Sequence, residues 1–90
     1  MSNIQKGNNQ LFVEEDGETV AKITYVTDGS ILNVDHTIVS EKKRGSGLGQ
    51  ELVKELVEQA RNNHQKIKPV CSYAKKQFEK HPEYQDVLAN

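Results

Sequence analysis

The sequence predicts an α+β domain built on a mixed sheet, in which three antiparallel strands are followed by a β–α–β crossover and two or three helices. Two Asp-Gly turns, at Asp16-Gly17 and Asp28-Gly29, separate three β-rich segments. After Ser40 the apolar period changes from two to about 3.6, which indicates a helix. A further β-branched segment follows this helix. Because such crossovers are right-handed, we expect the last strand to lie parallel to an earlier one.

The length and charge of the chain limit its organisation and its partners. Its 90 residues suffice for one core and not for two. We expect a flexible N-terminus over residues 1–8, which are mostly polar, and a single compact domain over residues 9–90. The net charge of −1 argues against nucleic acid as a partner, since phosphate backbones need an excess of Lys and Arg. No apolar run suits a membrane span or a signal peptide, so we expect no membrane partner and a cytoplasmic location.

The first three strands are predicted from hairpin signals and alternation. They run over residues 10–14, 19–26 and 31–40. In the second strand, one face carries Ala21, Ile23 and Tyr25. In the third strand, alternation predicts a shared face for Leu32, Val34, His36 and Ile38.

The second half of the chain carries the helices. A helix is predicted over residues 47–62, since its apolar residues recur at spacings of three and four. That face consists of Leu48, Leu52, Val53, Leu56, Val57 and Ala60. A strand is predicted over residues 67–71, where Pro69 favours an edge position. A second helix follows over residues 73–80, and Pro82 fits the first turn of a short terminal helix.

The segment Arg44-Gly45-Ser46-Gly47-Leu48-Gly49 lies between a predicted strand and the start of the first helix. Each glycine in a helical turn costs about 1 kcal/mol relative to alanine. Bare backbone N–H groups at a helix N-terminus can hold a phosphate, with Arg44 adding charge. The alternative is a solvated loop whose glycines only permit a sharp turn. The segment is not a Walker A loop, because Gln50 follows Gly49, and the spacing disfavours a dinucleotide fingerprint.

This segment resembles the (Q/R)xxGx(G/A) signature of the GNAT N-acetyltransferase superfamily. The preceding His36-Thr37-Ile38-Val39 and the later segments 69–73 and 81–84 are similar to those of its compact, YjdJ-type branch, so that the resemblance covers about residues 10–88. It implies that acetyl-CoA or CoA is bound by residues 44–49: Arg44, Gly45, Ser46, Gly47, Leu48 and Gly49. It also implies that Ile38 and Val39 lie along the thioester, in a gap where this strand and the 67–71 strand separate.

The resemblance further implies acetyl transfer to an amine, either a small molecule or a protein lysine. The chain lacks the helices that full-length members carry between their first two strands, and it lacks their last pair of strands. These parts shape the acceptor site. The alternative is therefore a CoA-binding or acyl-CoA-binding module without catalysis, or a small interaction domain.

Three side chains are candidates for the chemistry: Cys71, His36 and Tyr73. Cys71 ends a strand at the expected crevice, and His36 is predicted one strand away, where an imidazole can activate a thiol or accept an amine proton. The resemblance implies that Tyr73 protonates the leaving thiolate. Each also has a packing interpretation. Direct attack by the amine and transfer through an acetylated Cys71 both stay open. A lone cysteine and the histidine spacing resemble no zinc site, so no metal is expected.

Overall fold

The computed structural model describes residues 4–89 and contains five strands and two α-helices, in the order that follows. The elements are β1 (Ile4–Gly7), β2 (Gln10–Glu15), β3 (Glu18–Asp28), β4 (Ile31–Val39), a 3-10 turn (Glu41–Lys43), α1 (Leu48–Asn62), β5 (Lys66–Pro69), α2 (Ser72–Lys80) and a 3-10 helix (Pro82–Val87). Among these residues, no helix has the length and apolar character needed to cross a membrane.

The five strands form one mixed sheet in the order β1-β2-β3-β4-β5. The first three pairings are antiparallel. β4 and β5 are parallel and are connected through α1. The predicted α+β architecture, with its antiparallel strands and its crossover, is therefore confirmed.

β1 lies within the segment 1–8, for which the sequence predicts a flexible terminus. Residues 4–7 pair antiparallel with β2, with Ile4 opposite Val13, and Asn9 closes the turn with a φ of 58°. Ile4 packs against the core. The rest of this edge strand is polar, which is why its sequence resembles a solvated terminus. Residues 1–3 lie outside the described residues.

The core lies between one face of the sheet and the two α-helices. Ile23, Leu52 and Val57 have no exposed surface, and Leu56 is 1% exposed, which confirms the predicted apolar face of α1. β5 ends at Pro69 rather than at Cys71. The N–H groups of Val70 and Cys71 both bond to the Val34 oxygen, at 2.9 and 3.1 Å, so the chain leaves the ladder there.

A β-bulge divides β4 into two halves. Thr24 of β3 lies opposite His36, and Tyr25 lies opposite Val34, which leaves Asp35 as an extra residue on β4. Leu32 and Val34 are buried before the bulge. After the bulge, Thr37 and Val39 occupy the inward-facing positions of β4. They lie opposite the buried Ile23 and Ala21. The prediction that His36 and Ile38 share a face with Leu32 and Val34 is therefore wrong, because the extra residue reverses the alternation.

The bulge also marks the point where β4 and β5 separate. Their pairing runs from Ile31 opposite Lys66 to Val34 opposite Pro69. Within residues 4–89, no strand pairs with β4 beyond this point on the β5 side. The expected gap between the two strands is thus present in the structure.

Candidate functional site

A cleft of about 680 Å³ opens along the free edge of β4. Its wall consists of residues 37–39 of β4, residues 43–50 of the following loop and first helical turn, and Tyr73 of α2. The eight residues predicted to bind the coenzyme, Ile38, Val39 and residues 44–49, all lie on this wall. Tertiary structure therefore brings the glycine segment and the strand edge into one concave surface.

Two of the glycines serve backbone conformation and leave the cleft open. Gly45 and Gly47 have φ angles of 82° and 86°, which side chains rarely adopt. A Cβ at either position would meet nothing within 4 Å. The first bond of α1 runs from the Glu51 N–H to the Gly47 oxygen at 3.0 Å. The three preceding N–H groups, of residues 48–50, therefore have no acceptor within the helix, which creates an environment that favours an anion.

Gly49 is required for a different reason. A Cβ there would lie 2.6 Å from the Tyr73 hydroxyl oxygen and 2.9 Å from its Cζ atom. The absence of a side chain lets the Tyr73 ring pack across the first turn of α1. Burial raises the pKa of the Tyr73 hydroxyl, so this wall of the cleft carries a neutral proton donor at physiological pH.

The basic residues of the loop differ in their partners. The Lys43 ammonium forms a salt bridge with Glu15 of β2 at 2.7 Å. Arg44 forms no salt bridge with any residue in the 4–89 range. Of these two basic side chains on the cleft wall, the Arg44 guanidinium is therefore the one available to an anionic ligand.

Cys71 lies behind the cleft wall. Its sulfur is 3.5 Å from the Thr37 hydroxyl oxygen, and Thr37 is itself a wall residue. The sulfur also accepts a hydrogen bond from the Ala74 N–H at 3.4 Å, which makes Cys71 the N-cap of α2. The side chain therefore has a structural role that its position in the sequence does not reveal.

His36 does not lie beside Cys71. It is exposed and lies opposite Thr24, on the other face of the sheet from Thr37 and its sulfur neighbour. The bulge turns the residue outward, so the structure provides no contact that supports activation of the thiol by this imidazole, and the catalytic role of His36 stays a prediction. Next to it, the Asp35 carboxylate accepts a 2.6 Å hydrogen bond from the Thr24 hydroxyl. That bond holds the pKa of Asp35 below its usual value.

The metal-binding residue types do not cluster. Within the described part of the chain, no group of three or more His, Cys, Asp or Glu side chains could hold a metal ion. The features that the cleft offers to a ligand are thus backbone N–H groups, one arginine, a tyrosine hydroxyl and an apolar strand edge.

Comparison with protein-family models matches residues 10–87 to the GCN5-related N-acetyltransferases. The chain belongs to this family. Its structure is similar to the solution structure of a GCN5-like protein from Staphylococcus aureus, with 40% sequence identity and a TM-score of 0.82. The match covers 98% of this chain and 88% of the other. The predicted resemblance to the GNAT superfamily is therefore confirmed.

Longer acetyltransferases share the fold at lower identity. The ribosomal-protein-S18-alanine N-acetyltransferase from Escherichia coli is 13% identical, with a TM-score of 0.65 over 83% of this chain and 53% of its own. The GNAT protein YhbS from Escherichia coli, in complex with CoA, is 21% identical, with a TM-score of 0.58 over 64% of this chain and 37% of its own. This chain therefore spans about half or less of their length. Comparison with curated protein sequences gives no match.

Proposed function

We propose that this protein binds acetyl-CoA in the cleft and transfers the acetyl group to an amine. The observation that carries the proposal is the convergence of the helix N-terminus, Arg44 and the free edge of β4 on one cavity. Its volume lies within the range of about 300–1,000 Å³ that is typical of small-molecule sites. The complex of YhbS with CoA supports the proposal, because that protein shares the fold.

The residues of the wall suit the parts of the co-substrate. The backbone N–H groups of residues 48–50 and the Arg44 guanidinium provide donors for a diphosphate. The free edge of β4, at residues 37–39, provides backbone groups for the amide-containing arm and for the thioester carbonyl. The thioester supplies an activated acetyl group.

Acetyl transfer requires an uncharged amine, a polarised carbonyl and a proton for the departing thiolate. The amine nitrogen forms the new bond to the carbonyl carbon, and the C–S bond breaks with its electron pair left on sulfur. The nitrogen then loses its surplus proton to water, and Tyr73 regains from water the proton that it donates. Tyr73, whose hydroxyl is neutral and lies on the wall, is the donor that we assign to the thiolate. Direct attack is favoured over an acetylated Cys71, because Cys71 is not among the residues that line the cleft, although its sulfur lies 3.5 Å from the Thr37 hydroxyl of the wall.

A second candidate function is a CoA-binding or acyl-CoA-binding module without turnover. Of the three predicted catalytic side chains, Tyr73 lines the cleft, whereas Cys71 lies behind it and His36 on the far face of the sheet. This observation favours the module. Steady release of free CoA from acetyl-CoA in the presence of a panel of small amines and lysine peptides would distinguish an enzyme from a binding module without turnover. The acceptor itself and a cytoplasmic location stay predictions.

Binding is tested by thermal unfolding with CoA and acetyl-CoA. A ligand at about one hundred times its Kd stabilises the folded state by about 2.7 kcal/mol, which raises the Tm of a small domain by roughly 10 °C or more. Gly47→Glu should abolish the rise, because it places a carboxylate at the proposed diphosphate position. The matched control is Gly29→Glu, at a turn glycine with a φ of 62° and an equally open Cβ position. Both variants should lower the Tm of the free protein through strain, but Gly29→Glu should keep the ligand-induced rise. No rise for the wild-type protein at saturating acetyl-CoA would contradict the proposal.

A further inference from the structure

The face of the sheet that points away from the helices has no second layer on it. The buried side chains of α1, α2 and the C-terminal 3-10 helix form one cluster with the inward residues of β2, β3, β4 and β5. Within residues 4–89, these three helices therefore pack on the same side of the sheet. The opposite side, which we call the outer face, includes Phe12, Lys22, Thr24, Val26, Asp35 and Ile38.

The outer face has an exposed apolar component. Val26 is 56% exposed and Ile38 is 52% exposed. Phe12 lies in the same row as Ile38, with Lys22 of β3 between them. The Phe12 ring extends over β1, where its Cε1 atom would lie 3.1 Å from a Cβ at Gly7. Sheet faces in contact with water alone carry mainly polar side chains, so apolar side chains on neighbouring strands are typical of an interaction surface.

Two opposite charges lie on either side of Thr24 on the outer face. Lys22 precedes Thr24 by two residues on β3, and it forms no salt bridge with any residue that the structure describes. The bulge places Asp35 on the other side of Thr24, whose hydroxyl donates a 2.6 Å hydrogen bond to its carboxylate. That bond lowers the pKa of Asp35. The outer face thus carries a free ammonium group and a fixed carboxylate at two separate positions.

We propose that the outer face is the interface of a homodimer, in which a second copy of this chain covers it. A two-fold axis that passes between the two sheets at Thr24 exchanges the positions of Lys22 and Asp35. Each ammonium group then meets a carboxylate of the other copy, which is the self-complementarity that a symmetric interface requires. This inference is independent of the proposed function.

The size and net charge of the molecule are compatible with such a dimer. Its principal extents of 37 × 26 × 21 Å provide a sheet face that can bury the roughly 800 Å² per partner of a specific interface. Two sheets that pack face to face lie about 10 Å apart, which leaves room for Phe12 and Val26 between them. The net charge of −1 causes little repulsion between copies. Because Ile38 also lines the cleft, the second copy lies at the rim of the cleft.

Sedimentation equilibrium of the wild-type protein, from micromolar to millimolar concentration, should show a monomer–dimer equilibrium. Lys22→Glu should raise its Kd at least about a hundredfold, because it creates two like-charged contacts per dimer and each costs about tenfold or more. Asp35→Lys should have the same effect. Lys76→Glu is the matched control, since it makes the same charge change at an exposed position of α2 and should leave the Kd unchanged.

Mixing the two variants tests the pairing itself. The Lys22→Glu chain carries two carboxylates at these positions, and the Asp35→Lys chain carries two ammonium groups. An equimolar mixture should therefore form a heterodimer, although each variant alone is monomeric at the same concentration. A mixture that stays monomeric would refute the pairing of Lys22 with Asp35.

Three other outcomes would overturn the inference: a wild-type protein that is monomeric at millimolar concentration, a Kd that Lys22→Glu leaves unchanged, or an equal loss of affinity in Lys76→Glu. Thermal unfolding shows whether each variant is folded. A dilution series of the wild-type protein, followed by ¹H–¹⁵N NMR, requires no variant. Its chemical-shift changes should be concentrated at outer-face residues such as Phe12 and Thr24, and changes confined to α1 and α2 would place the interface elsewhere.

Discussion

The contact between Gly49 and Tyr73 allows a quantitative test of the cleft wall. In most helices, replacing a glycine by alanine is stabilising, here by about 1 kcal/mol. In this protein the new methyl group would lie 2.6 Å from the Tyr73 hydroxyl oxygen, 2.9 Å from Cζ and 3.2 Å from Cε2. The ring must move, and overpacking of this kind costs about 1–3 kcal/mol. With the two effects combined, Gly49→Ala should destabilise the protein by about 1 kcal/mol.

A double-mutant cycle measured by urea unfolding isolates this contact. Tyr73→Ala removes the ring, so the same Gly49→Ala change should then stabilise the protein by about 1 kcal/mol. The two effects of one substitution should therefore differ by about 2 kcal/mol. If Gly49→Ala stabilises the protein equally in both backgrounds, the Tyr73 ring moves aside freely and does not form a fixed wall. The assignment of Tyr73 as proton donor would then lose its geometric basis.

Three further predictions concern charge and the cysteine. Arg61 bonds to Asp86 at 2.8 Å and holds the pKa of that carboxyl below its ordinary value of 3.8. The stabilisation is present above this pH and is lost as the pH falls through the lowered pKa, so the Tm difference between wild type and Arg61→Gln should shrink in acid; an undiminished difference would contradict this reasoning. His36→Ala should change stability by less than about 0.5 kcal/mol and leave the pH profile of Cys71 alkylation unaltered; a shifted profile would place the imidazole near the thiol. Cys71→Ser should retain acetyl transfer. When the wild-type protein is incubated with acetyl-CoA and no acceptor, mass spectrometry should show no added acetyl group; an added acetyl group would show the covalent route.

Local patterns determined most of the elements. The spacing of Leu52, Val53 and Leu56 predicts the buried face of α1, because helical geometry alone places these residues together. The glycine segment is equally local: its positive φ angles and the helix that follows depend on neighbouring residues. For this reason the position of the glycine turn was predictable without a structure.

The bulge in β4 shows where such patterns fail. Alternation along residues 31–39 is unbroken in the sequence, and nothing in it marks Asp35 as an extra residue. The extra residue is defined only by the pairing with β3, where Thr24 faces His36 and Tyr25 faces Val34. One residue of offset moves every later side chain to the other face of the strand. The sequence therefore predicted the wrong surroundings for His36.

The edge strand β1 was missed for a similar reason. Within residues 4–7, Ile4 is the apolar residue that reaches the core, so the segment has no apolar period of its own. Its strand conformation comes from pairing with β2 through the turn at Asn9.

The sequence by itself determined the order of strands and helices, the core face of α1 and the glycine turn, because each depends on residues within a few positions of one another. Only the tertiary structure decided which side chains meet there. The packing of Tyr73 on Gly49, the contact of Cys71 with Thr37 and the hydrogen bond from Thr24 to Asp35 all join distant segments. Such contacts depend on strand register and on how the helices pack against the sheet. A shift of one residue changes the register, and the local sequence pattern does not show that shift.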